Sequence, residues 1–482
     1  MEESGPKFAN RDTRAFTKGT ESGQITGTSS DNFMQITHDL KDSFLTEKDI
    51  SIIQTDKKNI TGLRRVTHSF REGSSMGTMI TLVMTAAVGP GVLSLSYAVA
   101  ASGWALSLVQ MIACAFMCNF SLRLMTKVGK VTGKHSYANI AESLYPGKFF
   151  PFFVRITFFA NNWGAAVADL ILVKDLIIRC LLNLNLTMLP DFFTDSRSNF
   201  WPVFLGAFIG FPLCLKRSFK ELRVVMFTGF ILVVYVISVI FKEYVQSDMR
   251  KEWNAATAVD PKGVFTTLPI IFFSFACHPV VLDGYKELEK PTERKYRRVL
   301  SKTMFVLLVF YAAIGFFGYL RFTREDFKLA EGNILLAYNP NDISIDLAIL
   351  FFALTMTFSL PLGLKPVKGV LSELFGIRNE EEESLKKHVF LTALTVGSVI
   401  ACSVLVSNMT LVVNFLGASF NALIVFNLPC MYYMRLVNKR GKKKKATYYI
   451  ASIMNVSLFI FSAFSIGYLV WCQMNGITPV GG

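Results

Sequence analysis

Charge is scarce in this chain. Only 18% of its 482 residues are Asp, Glu, Lys or Arg, and histidine occurs five times. Soluble domains carry about 25% charge, so the chain cannot be the set of three soluble domains that its length alone suggests. Cysteine is sparse as well. The eight residues (Cys114, Cys118, Cys180, Cys214, Cys277, Cys402, Cys430 and Cys472) fall in or at the ends of apolar blocks. They are spaced neither as a disulfide framework nor as a zinc site. The polar segments hold no Gly-x-Ser-x-Gly, no nucleotide-binding loop and no His/Asp/Glu ligand cluster, which argues against an enzyme. The first seventy-odd residues lack any apolar run that would serve as a cleaved signal.

What is abundant is hydrocarbon. Hydrophobic residues make up 52% of the chain, 44 of them Phe, and the mean hydropathy is +0.41. They come in blocks of roughly 17 to 25 residues, each long enough to cross a core of about 30 Å. The blocks lie near 76–99, 104–125, 152–178, 200–215, 224–241, 264–282, 303–320, 343–364, 389–407, 410–434 and 448–472. This pattern predicts an all-α integral membrane protein of about eleven transmembrane helices, with membrane lipid as its surroundings. Three regions follow: a polar, disordered cytosolic tail over 1–73, a transmembrane domain over 74–472, and a short extracellular or lumenal tail over 473–482.

The formal charge of +15 reports topology, not nucleic acid, because the basic residues are spread over short loops. With a cytosolic amino terminus, the cytosolic loops hold about 27 Lys and Arg, including the run Lys442 to Lys445, against about 8 on the other face. On this orientation Asn185-Leu-Thr187 is open to glycosylation and Asn59-Ile-Thr61 is not. Either the plasma membrane or a lysosome-like or vacuole-like organelle suits such spans. Nothing in the chain points to a protein partner.

Two blocks are interrupted. The first reads Thr85-Ala-Ala-Val88-Gly89-Pro90-Gly91-Val92, placing a residue without an amide hydrogen between two glycines near mid-span. A break there frees carbonyls around Thr85 to Val88, which suit a cation, and amides around Gly91 to Leu93, which suit a carboxylate. The sixth block reads Phe272-Phe-Ser-Phe275-Ala276-Cys277-His278-Pro279, and Pro279 cannot bond to the Phe275 carbonyl. The second break lies five spans after the first, so they lead two halves that cross the membrane in opposite directions. Inverted-repeat transporters hold substrate and coupling ion between two such helices.

These segments resemble the amino acid/auxin permease family, in particular its sodium-coupled neutral amino acid transporter branch. The most specific piece is Phe275-Ala-Cys277-His278-Pro279 followed by Tyr285-Lys-Glu287-Leu288 and Pro291. Supporting pieces are Gly89-Pro-Gly91-Val-Leu93 with Tyr97-Ala98 and Gly103-Trp104, Asn162-Trp-Gly164 with Asp175-Leu176, Pro366-Val-Lys368, and Gly417-Ala418 with Leu428-Pro429. The resemblance covers about residues 74–472. It implies a leucine-transporter-like fold of five plus five helices with one extra helix, and uptake of an amino acid coupled to sodium or protons, with no other cofactor.

Site residues are carried over on the same basis. The branch places an Asn where this chain has Thr85 and a Thr best matched by Ser359, with Thr357 nearby. Oxygens of Thr85, Val88, Thr357 and Ser359 would then hold sodium. In the alternative, these hydroxyls bond their own helices and the driving ion is a proton, or transport is uncoupled exchange. Gly89, Gly91, Val92, Leu93, Asn162, Trp163, Phe272, Phe275, Ala276, Cys277 and His278 are the expected substrate contacts. Asp169 stands where relatives tend to place an aromatic residue. A carboxylate at membrane depth costs roughly 2.5 to 3.5 kcal/mol on insertion scales, so it should find a partner. That partner is a substrate cation, a transported proton, or a structural ion pair near the outer end of the third span, for which Arg155 is a candidate. His278 suits a proton relay by chemistry, but the position before Pro279 favours a structural ring that caps carbonyls. A second function class, an amino acid sensor signalling through the tail, shares these residues.

Overall fold

The computed structural model describes residues 76–475 except 184–189, 191–192, 194–199, 216–221, 248–255, 289–291, 323–331, 339–341, 376–383 and 407. The tail 1–73 with Asn59, the Asn185 loop and the residues after 475 lie outside the described residues. Those that are described belong to the unit Gly73–Gly482. Each of the eleven apolar blocks lies on helix, because in hydrocarbon a helix satisfies its own backbone.

The first block forms α1 (Met76–Ala87), a 3₁₀ turn (Pro90–Val92) and α2 (Leu95–Ser102). Then come α3 (Trp104–Thr132), α4 (Tyr137–Leu144) and α5 (Phe149–Asn183). After α6 (Phe200–Cys214) and α7 (Leu222–Gln246), the sixth block is split into α8 (Val264–Ser274) and α9 (His278–Glu287). The rest is α10 (Glu293–Arg321), α11 (Ile334–Ala337), α12 (Ile343–Leu374), α13 (Leu385–Leu405), α14 (Met409–Lys439) and α15 (Ala446–Met474). Seven helical runs among the described residues are long and apolar enough to cross a membrane. Two of the remaining blocks fall short by length: the first is split into α1 and α2, and α6 is short.

Side chains cap the helices at the membrane faces. Thr292 accepts from the Lys295 amide at 3.2 Å, Asp342 from Ser344 at 2.8 Å and Asn408 from Leu411 at 2.9 Å. The loops predicted to be cytosolic meet one another: Lys439 donates to the Ser143 carbonyl, and Lys130 pairs with Glu293. They form one basic face.

α5 and α12 run antiparallel along their whole length. Asn183 Nδ2 donates to Asp346 Oδ1 at 2.6 Å at one end, and Arg155 Nε pairs with Glu373 Oε2 at 2.6 Å at the other. The 28 residues from Arg155 to Asn183 span about 42 Å at 1.5 Å per residue, which is a membrane thickness with its headgroup regions. Asp169 lies halfway between those two pairs, level with residues 359 to 360 of α12. It is therefore at mid-depth, not near the outer end of the span.

The half-helix α8 is enclosed. Thr267 Oγ1 donates to the Ala98 carbonyl of α2 at 2.8 Å, and Asn421 Nδ2 of α14 donates to the Phe272 carbonyl at 2.8 Å. At Gly417 a Cβ would lie 2.6 Å from the Pro269 carbonyl carbon and closer still to its oxygen, so only glycine lets α14 approach α8 there. Phe265 stacks on Phe461 of α15 at 5.7 Å, and Phe272 meets the same ring edge-on at 5.9 Å. Two π turns, Gly417–Asn421 and Leu423–Asn427, interrupt α14 where it passes α8.

Candidate substrate and ion site at the broken helices

Both predicted interruptions are present, and they touch. A Cβ on Gly91 would lie 2.7 Å from Ser274 Oγ and 2.9 Å from Phe273 Cδ1, so the glycine lets the 3₁₀ turn rest on the end of α8. Gly89 is different: it is half-buried, and a Cβ there would meet nothing within 4 Å. The space beside the first break opens at Gly89, not at Gly91.

The backbone groups are more fully used than the sequence suggested. The amides of Val92, Leu93 and Ser94 bond to the carbonyls of Gly89, Pro90 and Gly91 at 3.1 to 3.3 Å, closing the 3₁₀ turn. Val92 and Leu93 therefore offer no spare amide for a carboxylate, whereas the Gly91 amide takes no part in those bonds. In the sixth span the amides of Ala276 and Cys277 turn back onto Phe273 and Phe275. The helix-end carbonyls of Ala87 and Ser274 instead receive a side chain: Tyr311 Oη of α10 lies 3.1 Å from the first and 2.9 Å from the second. Neither Tyr311 nor Asn421 stands out in an apolar block, since either fits an ordinary packing role. The usable signal was that each freed carbonyl must find a donor.

The predicted side chains divide into groups. Phe275 packs edge-on against Tyr311 at 4.9 Å, beside the break, while Phe272 is turned away toward Phe426 and Phe461. Trp163 donates its indole hydrogen to Ser398 Oγ of α13 at 3.0 Å, so its polar edge faces a neighbouring helix. Asn162 bonds back to the Phe158 carbonyl at 2.8 Å. His278 is wholly buried, with Nε2 2.7 Å from Ser121 Oγ. Ser121 donates to the Cys118 carbonyl, so its oxygen accepts from Nε2–H, and Nδ1 has no partner among the described residues. The ring braces α9 against α3 through a serine and caps no carbonyl.

At the candidate ion site, Gly229 of α7 faces the methyl groups of two threonines. A Cβ on it would lie 3.0 Å from Thr355 Cγ2 and 3.8 Å from Thr85 Cγ2. Ser359, one turn after Thr355, shares that face of α12. Thr357 sits about 200° from Thr355 around the helix, on the side where Asp346 meets α5, so Thr357 and Ser359 do not converge. Thr355, which the sequence reading passed over, faces Gly229 from α12 as Thr85 does from α1. Thr85, Thr355, Thr357 and Ser359 all donate to carbonyls of their own helices at 2.8 to 3.0 Å. Each oxygen keeps lone pairs for a cation.

Asp169 is half-buried, and none of the ion pairs among the described residues includes it. Arg155 pairs with Glu142 and Glu373, and its place 14 residues earlier puts it about 21 Å below Asp169. Lys174 pairs with Asp175. The same helix, α5, packs on the Pro90–Val92 turn. A cavity of about 350 Å³ lies elsewhere, between α2, α3 and α10, with an apolar lining that includes Val99, Trp104, Met111 and Phe316.

Comparison with known proteins agrees with this architecture. Residues 72–474 match the family model described as transmembrane amino acid transporter protein. Over 415 residues the chain is 25% identical to sodium-coupled neutral amino acid symporter 2 of Danio rerio, covering 79% of this chain and 80% of that protein. It is 24% identical over 376 residues to solute carrier family 38 member 10 of Mus musculus, which covers 74% of this chain but only 33% of that longer protein. Among solved structures, MhsT in complex with L-phenylalanine superposes with a TM-score of 0.54 at 13% identity, covering 80% of this chain and 98% of that one. A manganese transporter of Eremococcus coleocola gives 0.52 at 12% identity, covering 82% and 87%. Their shared fold is leucine-transporter-like. The chain is a multi-pass, non-enzymatic membrane protein of the amino acid/auxin permease family, the transmembrane amino acid transporters.

Proposed function

We propose that this protein is a secondary active transporter that carries an α-amino acid together with sodium or a proton, alternating access with its substrate held at the two breaks and its amino terminus in the cytosol. The observation that carries this reading is the meeting, at mid-depth, of two oppositely directed half-helix carboxyl ends, those of α1 and α8. Helix carboxyl ends concentrate partial negative charge, which suits an ammonium group or a metal cation. The open side at Gly89 admits the substrate backbone, and the Gly91 amide is the donor available to its carboxylate. Sodium, named in the description of the Danio rerio relative, fits the oxygens of Thr85, Thr355 and Ser359. Asp169, which makes no ion pair among the described residues, takes up the transported proton or the side-chain cation of a Lys-like or Arg-like substrate.

Uptake of radiolabelled amino acids into vesicles reconstituted with the purified protein, under an imposed sodium or proton gradient, tests the reading. Uphill accumulation under one gradient is expected. Absence of flux under both would overturn it.

A further inference from the structure

Ala87 and Ser274 are the last residues of two half-helices that approach from opposite sides of the membrane. Each ends in a carbonyl that its own helix cannot satisfy, and the two carry like partial charges toward one point. Left alone, these ends repel. The phenol of Tyr311 stands between them at 3.1 and 2.9 Å. Its ring is fully buried and held edge-on against Phe275, so the hydroxyl reaches both carbonyls from a fixed platform on α10.

A phenol has one hydrogen and can donate fully to only one of those carbonyls at a time. The other is left under-satisfied inside the membrane, where an unmet polar group is costly. An ammonium group carries three donors and supplies the missing one.

We propose that Tyr311 is the positioning residue of the site: it holds the ends of α1 and α8 at substrate-accepting separation, and the substrate ammonium completes a bridge that Tyr311 alone half fills. The proposal rests on the transport reading above and deepens it. Tyr311 acts on affinity through the spacing of two carbonyls, whichever ion drives transport.

The test compares Tyr311→Phe with Tyr296→Phe in the same vesicles. Tyr296 is an equally buried phenol that donates to the Val281 carbonyl at 2.5 Å, so its loss removes one bond of the same kind without touching the two helix ends. Tyr311→Phe should raise the substrate KM about tenfold, the size of one buried hydrogen bond, with a smaller change in maximal rate. Tyr296→Phe should leave KM within twofold. Placing 4-aminophenylalanine at position 311 restores a donor, now with two hydrogens that can fill the bridge without substrate, so this variant should hold the helix ends together yet keep KM raised, and it tests the bridge even if the Phe variant fails to fold. Equal KM for wild type and Tyr311→Phe, or for wild type and the aminophenylalanine variant, overturns the proposal.

A second reading needs no flux. Gly89→Cys, placed where the site is open, is labelled with a membrane-permeant thiol reagent with and without Tyr311→Phe. Parting of the helix ends should change the labelling rate about tenfold, and an unchanged rate overturns the proposal. If the wild type carries no amino acid at all, the transport reading falls and this labelling result still decides the role of Tyr311.

Discussion

Gly417→Ala is the simplest perturbation with a sign that the structure decides. Alanine in place of glycine within a helix gains about 1 kcal/mol of backbone preference, so the bland expectation is a more stable protein. Here the added methyl would lie 2.6 Å from the Pro269 carbonyl carbon and still nearer its oxygen, against an ordinary contact of 3.4 to 4 Å. The two helices must therefore part by about 0.8 Å or more, and the obstacle is backbone that cannot rotate away. Overpacking of this kind costs about 1 to 3 kcal/mol, and a backbone obstacle places it at the upper end. The net expectation is a loss of about 1 to 2 kcal/mol, together with displacement of Asn421 from the Phe272 carbonyl one turn away. Gly467→Ala in α15 is the matched control, since a Cβ there meets nothing within 4 Å. Thermal denaturation of the purified protein in detergent, followed by uptake in vesicles, gives the answer. Gly417→Ala should melt earlier and transport less, and Gly467→Ala should do neither. A Gly417→Ala protein with wild-type melting and uptake would refute the close approach of α14 to α8.

Thr355→Ala should raise the sodium concentration for half-maximal uptake about tenfold, the equivalent of 1.4 kcal/mol, whereas Thr357→Ala should leave it unchanged; the reverse order would place the ion on the other face of α12. Asp169→Asn should flatten the pH dependence of uptake and remove inhibition by lysine and arginine. If neither cation inhibits the wild type and the variant keeps its pH profile, the carboxylate has no transport role. On the face opposite the basic loops, the hydrogen bond from Lys242 at 2.7 Å, helped by Ser344, holds the Asp342 carboxyl well below its ordinary value. A depressed folded-state pKa adds stability that is fully present above the unfolded value of about 3.9 and is lost only as pH falls toward the folded one. The melting difference between wild type and Asp342→Asn should therefore stay constant from pH 7.5 down to 5. A glycosylation scan completes the set: Asn185 should accept a glycan and Asn59 should not, and the opposite result would invert the orientation.

The fold was legible because the bilayer imposes coarse rules. Every span had to be an apolar helix, and Pro90 and Pro279 had to interrupt two of them, whatever surrounds them. The site was only half legible because its chemistry depends on which neighbour each helix faces. Thr355 and Thr357 are equally plausible ligands in a linear string, yet the approach of Gly229 to the first decides between them. The depth of Asp169 became clear only from the end pairs Arg155–Glu373 and Asn183–Asp346, which set the register of α5 against α12. Tyr311 and Asn421 serve carbonyls that are 224 and 149 residues away in sequence, on Ala87 and Phe272 respectively, distances over which no local pattern carries information.

The eleventh helix is more than an appendage to a ten-helix carrier. Through Phe461 it backs α8, while Asn427 Nδ2 donates across to the Asn455 carbonyl at 2.9 Å and ties α14 to the same wall. The first half of the sixth span is thereby held between α14 and α15. The other two half-helices, α1 and α9, pack on each other, with α7 and α10 behind the first and α3 behind the second. A chain cut before Ala446 would strip Phe461 from Phe265 and Phe272 and leave one side of α8 to the lipid.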